Sequence, residues 1–184
     1  MAPKARRERI SRNRLPDISQ YLDLPLKNWK ARSCGIAALA TVIGFWNGGT
    51  PDLKKLRQEA VAGHAYQKGV GWRHKELASL ALRYGLKGKN FDWAPEPEKI
   101  AWKKFRQALK KGPVIASIHK DFKPRNGGHL IVANRIRAGK IFYHEPASRT
   151  RKGIIRSVSV NKFKTGWKKR IIAVNPETRH KKIR

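Results

Sequence analysis

A chain of 184 residues with 40% hydrophobic content is long enough to bury one sizeable core, so one domain is expected. Its 43 lysines and arginines stand against 12 acids, a net charge of +31, which draws polyanions such as nucleic acid, anionic membrane or acidic protein segments. A single cysteine excludes an intramolecular disulfide, and no apolar run reaches the ~18 residues of a membrane span. With no signal-peptide core at the N-terminus, the expected address is the cytoplasm.

The ends are basic. Residues 1–16 hold six basic residues and one acid and read as a flexible arm, and 177–184 read as a basic tail. The domain is expected between them, over 17–176. Tyr21 to Trp29 reads as an extended lead-in. From Cys34 to Trp46 almost every residue is apolar or small, the pattern of a helix buried on all sides. Ser33 is placed to cap it, which puts Cys34 in the first turn, and Gly48-Gly49 ends it. A thiol at the positive end of a helix dipole is favoured as thiolate, the form that acts as nucleophile.

A second helix is expected after Thr50 as cap and Pro51 at its first position, with Leu53, Leu56, Ala60 and Val61 as its apolar stripe. Gly69 to Trp72 reads as a loop, and His74 to Tyr84 as a third helix stopped by Gly85. Leu86 to Trp93 suits a short strand. Pro95 and Pro97 open a fourth helix that buries Ile100, Trp102, Phe105 and Leu109.

After Gly112 the pattern changes to short runs rich in Val, Ile and Phe: 113–118, 130–136, 140–144, 154–160 and 170–174. The break at Arg137-Ala138-Gly139 reads as a hairpin. Helices first and antiparallel strands second make an α+β fold with two layers meeting at one core.

The strand half carries the chemical candidates. His129 follows Gly127-Gly128 at the start of a buried strand, 95 residues beyond Cys34. Sixteen residues further, Glu145 ends the strand that the hairpin would pair with it. A carboxylate there accepts a hydrogen bond from the imidazole and fixes its tautomer. A thiol, an imidazole and an orienting acid are the parts of an activated nucleophile.

The order of these pieces resembles the bacteriocin-processing peptidases, papain-like cysteine peptidases that cut leader peptides after a double glycine, and their free-standing relatives. The resemblance rests on Ser33-Cys34-Gly35 and the Ala-rich helix, Gly71-Trp72, Ala81 to Leu86, Leu109 to Val114, Gly128-His129, Glu145-Pro146 and the run from Val158 to Val174. It covers roughly Leu24 to Val174. It implies a papain-like fold, in which a central buried helix carrying the cysteine packs on a C-terminal antiparallel sheet. It also implies Cys34 as nucleophile, His129 as base then acid, Glu145 as orienting acid and Asn28 as the oxyanion amide. The family usually has glutamine where Asn28 stands and aspartate where Glu145 stands.

No CxxC, HxxxH or HExxH spacing occurs, so neither metal nor cofactor is expected. His64, His74 and His180 read as solvated, and His119 and His144 as packing or surface residues. His144 neighbours Glu145 on a strand and should point to the opposite face. Asp121 is a reserve for the third catalytic group. Trp72, Trp93, Trp102 and Trp167 read as core more than groove. The leading expectation is a cysteine peptidase acting on a peptide or protein substrate, acidic in keeping with the positive surface. The alternative is a catalytically decayed relative that binds nucleic acid or a ribonucleoprotein through its basic arms.

Overall fold

The structure is a computed structural model that describes residues 14–24 and 27–177. Most of the basic arm and the tail from 178 lie outside the described residues. Within the stretch read as arm, Leu15 is buried and Pro16 packs on Gly44, so ordered packing begins earlier than expected.

Helix α1, Cys34–Asn47, carries no charged residue and is buried from Gly35 through Phe45. Gly48, in the left-handed region at φ 76°, ends it and returns its N–H to the Gly44 carbonyl. Two glycines inside the helix let neighbours approach its backbone. A Cβ on Gly35 would stand 2.6 Å from Trp72 Cγ, and one on Gly44 would stand 2.7 Å from Pro16 Cγ. The lead-in is not extended. Ser19 Oγ accepts from the N–H groups of Tyr21 and Leu22, folding a turn, and Lys27–Arg32 is a 3₁₀ helix. Local side-chain acceptors offered the backbone a tighter path than a strand.

Helix α2, Leu53–Ala62, starts later than expected. Asp52, not Thr50, is the cap, and its carboxylate accepts from Lys55 N–H at 3.0 Å. Leu56 and Ala60 are buried, whereas Val61 is exposed. The stretch read as a loop forms two short antiparallel strands, β1 (Tyr66–Gln67) and β2 (Gly71–Trp72). The third helix divides: α3 is His74–Ser79 and continues as a 3₁₀ helix, Leu80–Tyr84, before Gly85. Strand β3 (Leu86–Asp92) leads to helix α4, Glu98–Leu109. That helix buries Ala101, Phe105 and Leu109; Ile100 is exposed, because the sheet-facing stripe runs one residue out of step with it.

Strands β4 (Val114–His119), β5 (Gly128–Arg137), β6 (Lys140–His144), β7 (Ile155–Ser159) and β8 (Trp167–Pro176) complete an antiparallel sheet of order β3-β8-β4-β5-β6-β7. Ala138 and Gly139, both at positive φ, make the two-residue turn between β5 and β6. A short helix, α5 (Val160–Gly166), stands where the apolar run from 154 was expected to finish as strand. Ser159 starts it by accepting from Lys162 N–H.

The sheet is covered on both faces. Ile115, Leu130, Val132, Ile172 and Val174 pack with helix α1. Val114, Ala116, Ile131, Ala133 and Ile171 pack with α4 and α5. The alternation along β4, β5 and β8 divides the two sets. The α+β expectation holds, with helices on two sides of the sheet instead of one.

Candidate active site

The site forms where the N-terminus of α1 meets the leading end of β5. Cys34 is half-buried in the first turn, and His129 is buried at 8% exposure as the second residue of β5. Glu145 follows the last residue of β6 and is equally buried. The β5–β6 hairpin brings the last two together, as their sixteen-residue spacing implied. His129 Nε2 lies 2.5 Å from Glu145 Oε1. The same carboxylate oxygen accepts from the Ala147 N–H at 2.9 Å, and the Glu145 N–H donates to the Ile154 carbonyl at 2.7 Å. The glutamate is therefore held at both its backbone and its head. Its extra methylene does not prevent the contact.

With Nε2 engaged by Glu145, Nδ1 is the ring nitrogen left free, and His129 interacts electrostatically with Cys34. Burial alone would lower the His129 pKa. Its interactions with Cys34 and with the Glu145 carboxylate, which accepts from the imidazole, outweigh it and raise the value to about 10. For Glu145 burial works upward, but the bond and charge of His129 and the Ala147 N–H hold its pKa below the usual carboxylate value. Imidazolium and carboxylate are thus each the favoured form in the other's presence.

Ser33 precedes the helix as expected, but it does not cap it. Its hydroxyl donates to the Trp29 carbonyl at 2.7 Å, and the helix has no side-chain cap. The first-turn N–H groups beside Cys34 are left without a side-chain acceptor, which is what an oxyanion site needs.

Cys34 and His129 open on a cavity of about 640 Å³. Trp72 closes one side, fixed by its indole N–H donating to the Arg32 carbonyl at 2.6 Å and by its ring lying against Gly35. It is therefore both core and wall. Ser117, His74, Lys168 and Arg170 contribute to the rest. His74 is not a free surface histidine: burial and the neighbouring Arg170 push its pKa down.

The other expected candidates lie elsewhere. Asn28 is exposed on the 3₁₀ helix and does not line the cavity. Asp121 is exposed in a left-handed turn after β4 and is not hydrogen-bonded to His129, whose carboxylate partner is Glu145. His144 is buried beside Asp17, with its Nδ1 3.7 Å from Oδ1, and packs on the α1 side of the sheet. His119 Nδ1 meets the Asn126 carbonyl at 3.1 Å, and His64 is exposed. His180 lies outside the described residues.

One positioning residue was missed. Gln20 is 2% exposed; its N–H donates to the Pro146 carbonyl at 2.8 Å and its Nε2 to the Lys30 carbonyl at 2.6 Å. It ties the segment leading into Cys34 to the residue after Glu145. A lone glutamine in a polar lead-in carries no periodic signal that would have exposed this.

A charge-free helix presenting a thiol, packed on an antiparallel sheet that presents an imidazole and its carboxylate, is the papain-like cysteine peptidase architecture. The description "Peptidase_C39 like family" matches residues 21–171, and the chain belongs to that family of cysteine peptidases. Its fold is similar to a double-glycine-motif protease from an AMS/PCAT transporter solved with its leader peptide, at 19% identity and TM-score 0.60, over 91% of this chain and 96% of that one. It is similar also to a Bacillus anthracis protein assigned as a C39-like peptidase (18% identity, TM-score 0.63, 89% and 94% covered). The peptidase domain of Streptococcus ComA, a bifunctional ABC transporter of a quorum-sensing pathway, aligns at 16% identity and TM-score 0.57, over 80% and 93%. No curated protein matches the chain. Among the described residues no helix is long and apolar enough to cross a membrane, and no group of three or more histidines, cysteines or acids is placed to hold a metal.

Proposed function

We propose that this chain hydrolyses peptide bonds with Cys34 as nucleophile, His129 as acid and base, and Glu145 as the group that orients the imidazole. The observation that carries the reading is the His129 Nε2–Glu145 Oε1 contact, with His129 and the half-buried Cys34 lining one open cavity. The thiolate attacks the scissile carbonyl carbon, and the resulting oxyanion is received by the uncapped N–H groups at the start of α1. His129 gives its Nδ1 proton to the leaving amine as the C–N bond breaks. The neutral imidazole then takes a proton from water, the hydroxide attacks the thioester, and the released thiolate and imidazolium restore the pair. Asn28, exposed and outside the cavity lining, is given no part in this scheme, and the helix N–H groups carry the oxyanion. The substrate is a peptide or leader with acidic character, in keeping with the +31 charge and with the leader peptide bound by the transporter protease of similar fold.

The test is the rate of Cys34 alkylation by iodoacetamide across pH, in wild type and His129→Ala. The reading expects a thiol that reacts well below the free-cysteine range of about 8.5, with that reactivity lost in the variant. A thiol that is inert, or that titrates near the free value in both proteins, overturns it. In that case the charge favours the second reading, a polyanion-binding relative, whose mark is affinity for RNA or DNA that falls steeply with salt.

A further inference from the structure

Strand β8 is irregular where it passes the cavity. Along β4 the pairing runs Ser117 to Arg170 and then jumps, Ile118 to Trp167, so Lys168 and Lys169 have no partner on β4. Bulges of this kind re-aim side chains beside functional sites. This one is braced on every side. Lys169 is in the left-handed region at φ 55°, its carbonyl accepts from the Trp93 N–H at 2.9 Å, and its ammonium donates to the Glu96 carbonyl at 2.8 Å. The Trp167 indole N–H donates to the Arg170 carbonyl at 3.2 Å. Lys169 is thereby turned away from the cavity, and Lys168 is turned into its lining.

The Lys168 ammonium lies 3.4 Å from where a Cβ on Gly128 would stand, over the residue immediately before His129. The two acids in the cavity wall are already matched. Glu76 pairs with Arg73 at 3.0 Å and Asp92 with Arg170 at 2.8 Å. Among the described residues, Lys168 has no acidic partner of its own. It is a half-buried cation beside the candidate general acid, with no described carboxylate paired to it.

His129 hands its proton to the departing amine, so the leaving portion of the substrate must run along the His129 side of the cavity. We propose that Lys168 recognises a carboxylate on that leaving portion, within its first two residues, or ~7 Å of extended chain. The carboxylate is an acidic side chain or the substrate's free C-terminus; both offer the same charge-assisted hydrogen bond. This inference rests on the peptidase reading and adds a specificity determinant to it.

The test is cleavage profiling of the full chain on a mixture of synthetic peptides of varied sequence, each made with a free and an amidated C-terminus. Wild type is expected to favour Asp or Glu just after the cut, or bonds close to a free C-terminus. The ratio of kcat/KM for acidic over neutral leaving groups should fall about tenfold in Lys168→Gln and invert toward basic leaving groups in Lys168→Glu. The distal Lys140→Gln should keep the wild-type ratio. Loss of the preference on amidation assigns the carboxylate to the C-terminus, and its persistence assigns it to a side chain. Cleavage without acid preference, or a preference unchanged in Lys168→Gln, overturns this inference alone. Cleavage of no peptide, together with an inert Cys34, overturns the peptidase reading and this inference with it.

Discussion

The two faces of the sheet are packed by different means. On the α1 face the core is mostly Ala, Ile, Leu and Val, with Phe45 and Trp72 as its buried aromatics, and the helix backbone touches Trp72 and Pro16 directly through Gly35 and Gly44. On the other face Trp93, Phe105, Phe163 and Trp167 form a connected aromatic cluster, with ring centroids 4.9 Å apart for Phe105–Trp167 and 5.1 Å for Phe105–Phe163. Bulk on the far face fills volume and anchors the sheet. Small residues on the near face allow a thiol on a helix to meet an imidazole on a strand. Aromatic bulk and the close approach to the helix that carries Cys34 thus lie on opposite sides of one sheet, and the two sides should fail differently.

The largest effect is expected at the site. Cys34→Ala and His129→Ala should each lower peptide turnover by on the order of 10³-fold or more, with far-UV circular dichroism and melting cooperativity retained. On the far face Phe105→Ala, removing a fully buried ring, should cost about 3–5 kcal/mol in urea unfolding, while the fraction that remains folded keeps its alkylation rate. Gly35→Val reverses that pattern: its side chain meets the Trp72 ring, costing about 1–3 kcal/mol, and it should slow Cys34 chemistry by moving the helix start. If Phe105→Ala and Gly35→Val damaged reactivity equally, the division between the faces would be lost.

Smaller and pH-dependent effects sharpen the contrast. The His129 pKa is raised from 6.5 to about 10, so the stability its partners confer is fully present below 6.5 and lost as pH rises through about 10. Glu145 is shifted the other way; its contribution is present above its ordinary value of 4.5 and lost as pH falls through the lower folded value. The difference in guanidinium midpoint between wild type and His129→Ala should therefore be widest between about pH 4.5 and 6.5 and narrow as pH rises toward 10. Glu145→Gln should narrow it between about pH 5 and 10. The smallest effect is expected for Ser33→Ala, about 1 kcal/mol, because its hydroxyl bonds the Trp29 carbonyl and leaves the helix uncapped either way.

Much of this was legible in the chain. The charge-free run from Cys34, the break at Gly48, the β5–β6 hairpin and the His129-to-Glu145 spacing are local patterns, and local patterns survive folding. The misplaced elements were those set by competition. Asp52 out-competed Thr50 as a cap because its carboxylate reached the Lys55 N–H, and Val160 joined a helix once Ser159 had started one. Asn28 matched a spacing, but the 3₁₀ helix that carries it turns it to solvent.

The sequence by itself determined the class of fold and two halves of the site, since hydrophobic period and turn residues specify which segments are buried and which reverse. Only the tertiary structure decided that Gln20 spans from Lys30 to Pro146, that His74 belongs to the cavity wall, and that a bulge in β8 turns Lys168 toward Gly128. Those placements depend on contacts between residues far apart in the chain. No short-range pattern encodes them, because they exist only after the sheet has closed and its register has been set.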